Sequence, residues 1–374
     1  MVSKIKKTFE EVDRPFLFIV FILLGIGLLM IASAGVLYGE TRFNDAYFFF
    51  KRQLIGLSIG LVSMYLFSRI SYHIWRPLSV PIFVVALILL VLIFIPGIGT
   101  SAYGAARWIE LGPISFQPSE VMKFAIVLYL SAWLAGKGKE KTEDFYEGLV
   151  PFLAVLFLVA FLILKQPDTG TLFLIFGMSM SIFFYSGANL KHIAGMGALA
   201  LLSFFILLKT APYRMQRFLV YMNPEHDPQG FGYQMTQALV AIGSGGLFGV
   251  GLGYSHQKFN YLPEPVTDSI FAIFGEEFGF VGTTVLISLF VFLALRGIRI
   301  AKNAPDRFGE LLGIGIVSWI IIQAFVNISA ITGLIPLTGV PLPFVSYGGT
   351  SLAVLLSAIG ILLNISRQAK LKLL

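Results

Sequence analysis

Ten stretches of this chain run for about twenty residues with almost no charge. They lie near 16–38, 53–70, 79–97, 119–136, 149–165, 169–187, 189–209, 269–295, 311–335 and 345–366. A helix of that length crosses the hydrocarbon of a bilayer. Backbone at that depth must satisfy its own hydrogen bonds, so such runs fold as helices. Composition agrees. Of 374 residues, 57% are hydrophobic and 13% charged, about half the charge of a soluble domain. One soluble core could not hide that apolar surface, and a disordered chain would be polar and charged. The expected fold is an all-α polytopic membrane protein of ten transmembrane helices, forming one domain over 1–374.

The first stretch follows Lys4, Lys6, Lys7 and Arg14. It is too long for a signal-peptide core and lacks a small-residue cleavage site, so it is expected to span. Ten spans place both termini on one side. With the N-terminus inside, seventeen Lys and Arg fall on inner segments, nine on outer ones, and Lys123 inside a span. The positive-inside rule then predicts an N-in, C-in protein. The net charge of +7 reflects those inner loops rather than nucleic-acid binding. Cys is absent, which excludes disulfides, thiol catalysis and Cys-ligated metals. The four His, at 73, 192, 226 and 256, form no HExxH pattern. Most connections are short. The outer loop between the seventh and eighth helices, about 210–268, is long and rich in aromatic and Gly residues. Such a loop is expected to fold, partly as short helices, against the outer face. No internal repeat of the transporter kind is visible.

Several constellations could carry chemistry. Gly243-Ser244-Gly245-Gly246 is either a turn for close backbone packing or a set of amides for a diphosphate; it lacks the Walker pattern. Thr267 and Asp268 precede the eighth span behind Pro263 and Pro265. Either residue could cap that helix. Asp268, close to Glu264 at the outer edge, could instead be a general base with a raised pKa. Glu276 and Glu277 lie deeper in that span, where acids need an inward partner. Glu120 and Lys123 share a helix face, as an ion pair or with Lys123 turned to an anion. Arg107, Arg214 and Arg217 could fork onto phosphate oxygens or anchor lipid headgroups. Ser346, Tyr347, Thr350 and Ser351, after Pro341-Leu342-Pro343, could floor a sugar site or pack a re-entrant segment.

Five ordered segments make the chain resemble the SEDS family of shape, elongation, division and sporulation proteins. They are Arg107-Trp108 with Phe116-Gln117-Pro118-Ser119-Glu120, Gln166-Pro167-Asp168-Thr169-Gly170-Thr171, Gly243-Ser244-Gly245-Gly246, Leu262-Pro263-Glu264 through Thr267-Asp268, and Pro341-Leu342-Pro343 with Ser346-Tyr347-Gly348-Gly349. Gly349-Thr350-Ser351-Leu352, Phe274-Gly275-Glu276-Glu277-Phe278-Gly279 and the short inner loops look more like the division and sporulation branch (FtsW, SpoVE) than the elongation branch (RodA). Many members carry His before Thr-Asp; here it is Val266, which shifts weight onto Asp268.

The resemblance implies a peptidoglycan glycosyltransferase in the bacterial cytoplasmic membrane, serving cell division or cell-shape growth. It would polymerise lipid II with inversion and release undecaprenyl diphosphate. It implies Asp268 as the essential carboxylate. A class B penicillin-binding protein would be its partner among division or elongation proteins, and magnesium or manganese is a candidate cofactor. Arg107, Arg214, Arg217 and Lys123 are the expected diphosphate groups, with Glu120, Glu264, Thr267, Ser346 and Tyr347 lining the substrate site. A lipid II flippase is the rival from another class, although the charges cluster at the outer edge rather than at the midplane.

Overall fold

The computed structural model describes residues 12–369, apart from 98, 103, 104, 112, 113 and 260. Lys4, Lys6, Lys7, Lys370 and Lys372, counted as inner charges, lie outside the described residues. The chain opens with α1 (Arg14–Phe43), α2 (Phe48–Arg69) and α3 (Trp75–Leu92), the last led by a 3-10 turn at Tyr72–Ile74. Three short strands follow, β1 (Gly99–Ala102), β2 (Ala105–Leu111) and β3 (Ile114–Phe116). Then come α4 (Pro118–Ala135), a short α5 (Lys139–Glu143), α6 (Val150–Lys165), α7 (Thr169–Tyr185) and α8 (Leu190–Thr210). The long loop holds α9 (Pro212–Met222) and α10 (Phe231–Ser244). The chain ends with α11 (Ile270–Lys302), α12 (Arg307–Ile331) and α13 (Gly349–Gln368).

A helix underlies each of the ten apolar stretches. Eight helical segments are long and apolar enough to cross a membrane: 14–43, 72–92, 118–135, 145–165, 190–210, 270–302, 307–331 and 349–368. Helix α7, an apolar helix of 17 residues, falls short by length, and α2 is not among the eight. The strands were not expected from a segment with little alternation. They form an antiparallel meander in the order β1-β2-β3, with Thr100 opposite Trp108 and Ile109 opposite Phe116. The long loop folds as expected, with α9 and α10 inside it.

Helices α4, α12 and α13 form the buried centre, with Met122, Ile126, Trp319, Ile320, Leu356 and Ile359 almost fully enclosed. At the periphery, Phe157 and Phe161 of α6 and Leu201 and Phe205 of α8 are exposed, as a lipid-facing surface allows. Contacts sort the connections into two ends. At one, Asp13 pairs with Arg296 (2.6 Å), Tyr72 donates to Asp306 (2.9 Å) and Asn364 donates to the Ser68 carbonyl (2.9 Å). At the other, the β-meander, the 166–168 turn, the long loop and the 335–348 segment meet.

Helix α11 is broken. Gly279 has φ 66° and ψ −165°, outside helical space. The Gly-rich loop threads the break: Val250 and Gly251 donate to the Glu276 and Glu277 carbonyls, and Phe280 and Val281 donate to those of Gly246 and Leu247. A Cβ on Gly279 would stand 2.3 Å from the Gly249 nitrogen. The Gly-rich stretch is thus close backbone packing, the first of its two readings. The acids beside it have partners, although Glu277 Oε2 is buried without a hydrogen bond. Glu277 pairs with Lys258 at 3.0 Å and accepts from Ser33 at 2.7 Å, while Glu276 accepts from Ser255 and the His256 amide.

Candidate active site

Helix α11 begins without a side-chain cap, its N-cap position being Ser269. Asp268 is therefore not the cap, and its carboxylate is available for other contacts. It is half-buried. Gln234 of α10 approaches Asp268 Oδ2 at 3.4 Å, and the Thr267 hydroxyl lies 3.2 Å from Oδ1. That hydroxyl is also 3.0 Å from Glu264 Oε2, so it bridges two carboxylates, and Tyr38 of α1 donates to Glu264 Oε1 at 3.1 Å. Glu264 itself takes a left-handed backbone, φ 49°.

Burial pushes the Asp268 carboxyl up to about 6, and the nearby Glu264 charge adds to the rise; Arg217 and the Gln234 amide oppose it. A carboxylate poised near 6 is a competent base close to neutral pH.

Arg217 of α9 is a cation near enough for its charge to act on this acid. Its guanidinium donates to the Leu337 carbonyl at 3.1 Å and stacks over Phe231, 4.7 Å from the ring centre. Its Nε is buried without a partner. Burial lowers its pKa, against the favourable charge of Asp268. Arg107 and Arg214 stand nearby, each with some of its donors engaged. Arg107, carried on β2, donates to the Gln166 and Pro167 carbonyls at 3.1 and 2.5 Å. Arg214 donates to the Tyr213 hydroxyl (3.0 Å) and to Thr210 (2.9 Å), and Tyr213 donates to the Pro167 carbonyl (3.2 Å). Asp168 caps α7, accepting from the Thr171 amide and hydroxyl.

Four of the expected residues, Glu120, Lys123, Ser346 and Thr350, make structural contacts. Lys123 is 1% exposed, 2.8 Å from Glu120 and 3.0 Å from the Gln323 carbonyl oxygen. The ion-pair reading of Glu120 and Lys123 holds, and Lys123 has no open face for an anion. The Ser346 hydroxyl accepts from the Leu342 amide and donates to the Thr267 carbonyl (2.8 and 2.5 Å), so it clips two loops together. Thr350 likewise donates to the Ser115 carbonyl. Tyr347 remains half-buried, edge-on to Phe49, with its pKa raised by burial.

Sequence reasoning missed Gln234, Tyr38, Gln323 and Asn327. The last two are legible in hindsight, being uncharged polar residues four apart in an otherwise apolar span. A cavity of about 490 Å³ opens between α1 and residues 252–259, lined by Leu29, Val36, Leu37, Leu252, Lys258 and Phe259. None of the expected site residues lines it. Among the described residues no group of three or more His, Asp or Glu is placed to hold a metal ion.

The family of FtsW, RodA and SpoVE, described as cell cycle protein, matches residues 14–371. Stage V sporulation protein E of Bacillus subtilis is 46% identical over 358 residues, covering 96% of this chain and 98% of that protein. The probable peptidoglycan glycosyltransferase FtsW of Geobacter metallireducens is 41% identical over 364 residues, 97% of each. Among solved structures, a chain of a peptidoglycan synthase complex superposes with TM-score 0.79 at 27% identity, covering 96% of this chain and 99% of that one. The rod shape determining protein RodA of Thermus thermophilus gives TM-score 0.71 at 27% identity, covering 97% and 99%. The chain is a multi-pass membrane protein and belongs to the FtsW/RodA/SpoVE family of cell cycle proteins.

Proposed function

We propose that this chain is a peptidoglycan glycosyltransferase that polymerises lipid II at the outer face of the cytoplasmic membrane, in division or cell-shape growth. The observation that carries the reading is Asp268. It is a half-buried carboxylate raised to about 6, bridged to Glu264 through the Thr267 hydroxyl and within reach of the Arg217 charge. Asp268 takes the proton from the C4 hydroxyl of one lipid-linked disaccharide. That oxygen then bonds to C1 of the growing strand, with inversion, and undecaprenyl diphosphate leaves. Arg217 supplies charge to the departing diphosphate, with Arg107 and Arg214 shaping the wall behind it.

Ten spans with both termini inside would place this site at the outer leaflet. The relatives named as glycosyltransferases and the synthase complex support the reading, as they do a class B penicillin-binding protein as partner. Among the described residues no group of three or more His, Asp or Glu is placed to cage magnesium or manganese, and the proton transfer rests on Asp268 itself. The test is the purified chain with its partner, given labelled lipid II in detergent. Glycan polymer is the expected product. Its absence, with the partner bound, would overturn the assignment.

A further inference from the structure

Three consecutive carbonyls lead to the Asp268 side chain, and each is held from outside its own segment. The Val266 carbonyl accepts from the Tyr347 amide at 2.8 Å, and the Thr267 carbonyl from the Ser346 hydroxyl at 2.5 Å. The Asp268 carbonyl accepts from Asn327 Nδ2 at 2.8 Å. The second Asn327 N–H goes to the Val340 carbonyl, also 2.8 Å. Asn327 is 1% exposed and sits on α12, in the buried centre. One turn earlier on α12, Gln323 Nε2 donates to the Pro341 carbonyl at 2.9 Å. Its carbonyl oxygen is fixed by Lys123 at 3.0 Å and Trp319 at 2.8 Å.

We propose that Asn327 is a positioning residue for the reaction, locking the Asp268 peptide and the 340–341 turn onto one rigid helix. The inference rests on the reading of Asp268 as the base. A primary amide suits the place because it offers two donors at a fixed angle. Both loops present carbonyls there, and neither loop has regular structure of its own to hold them. Gln323 and its Lys123–Glu120 support brace the same turn from below, so the acid–base geometry is referred to the core of the bundle rather than to the loop.

The test uses the full-length chain with its penicillin-binding partner and lipid-linked disaccharide in detergent. Asn327→Leu keeps the volume and removes both donors. The expected result is a kcat lower by about 10- to 100-fold with KM nearly unchanged, as misplacement of a catalytic group by an ångström costs. The acidic limb of the pH–rate profile should also move to lower pH, because a loosened Asp268 is better hydrated. If the variant does not survive purification, Asn327→Ser, which keeps one donor, carries the same test with smaller shifts in the same directions. A profile that keeps its native limb, with only the amount of folded enzyme reduced, makes Asn327 a stability residue and overturns the proposal. Asp268→Asn runs alongside. Full activity there sinks the base reading itself, whereas an inactive Asp268→Asn beside a normal Asn327→Leu sinks the positioning role alone.

Discussion

At the level of single residues, Asp268 and its two charged neighbours make predictions of opposite sign. Asp268→Asn keeps size and leaves the helix start untouched, since Ser269 holds the cap position. Polymerisation by the purified variant should fall by about 10²–10⁴-fold, the usual worth of a general base. A base works deprotonated, so native activity should fall as pH drops through about 6 and level off above it. Glu264 raises the Asp268 pKa and Arg217 lowers it. Glu264→Gln should therefore shift the acidic limb to lower pH, and Arg217→Gln to higher pH. Arg217→Gln should also cut turnover at limiting substrate by about 10- to 150-fold, the loss of one charge-assisted contact. Both limbs moving together, or neither moving, would mean that these charges do not act on the group being titrated. Asp268 was legible from its place after two prolines. Its freedom from capping was not, because Thr267, Asp268 and Ser269 are all good cap residues and only the backbone chooses among them.

Among the elements, α11 shows what periodicity misses. The apolar run predicted one helix from 269, and the start is right. The break at Gly279 was hidden because Gly275, Gly279 and Gly282 are alike in sequence, and only contact with the 246–251 loop selects which one adopts a positive φ. Gly279→Ala should be severe. The conformation alone costs about 1–3 kcal/mol for a residue with a side chain, and the new Cβ would overlap the Gly249 amide. Gly195→Ala on α8 is the control: nothing lies within 4 Å of its Cβ position, and helix propensity favours Ala by up to about 1 kcal/mol. Thermal unfolding in detergent should show a large fall for the first and no fall for the second. Equal melting would mean that the break is not maintained. The β-meander escaped notice for another reason. Its strands have 4, 7 and 3 residues, too short for alternation to stand out.

For the whole molecule, the five sequence segments that carried the resemblance are spread from 107 to 349, and the fold gathers four of them at one end. Arg107 reaches Gln166 and Pro167, Arg217 reaches Leu337, and Tyr347 reaches Val266. Residue types announced the chemistry, but which groups remain free followed only from contacts between distant segments, as the buried Lys123 illustrates. The same sorting into two ends bears on the expected membrane orientation. One end holds Arg69, Arg76, Arg296, Arg299, Arg307 and Arg367, which the positive-inside rule would place in the cytoplasm, and the other end holds Asp268 and the long loop. Two helices test the count. Helix α7, with 17 residues, spans about 26 Å against a hydrocarbon core of about 30 Å. Helix α2 begins with Lys51 and Arg52 near its first turn. If both cross, reporter fusions within 220–260 should read outside, and fusions after Arg299 and after Leu374 should read cytoplasm. If only one crosses, the termini fall on opposite sides and the fusion after Leu374 reports outside when the N-terminus is in. The 220–260 fusion decides the mechanism as well as the topology. An inside signal there would put Asp268 and Arg217 at the cytoplasmic leaflet, where they could not act on a glycan strand growing outside.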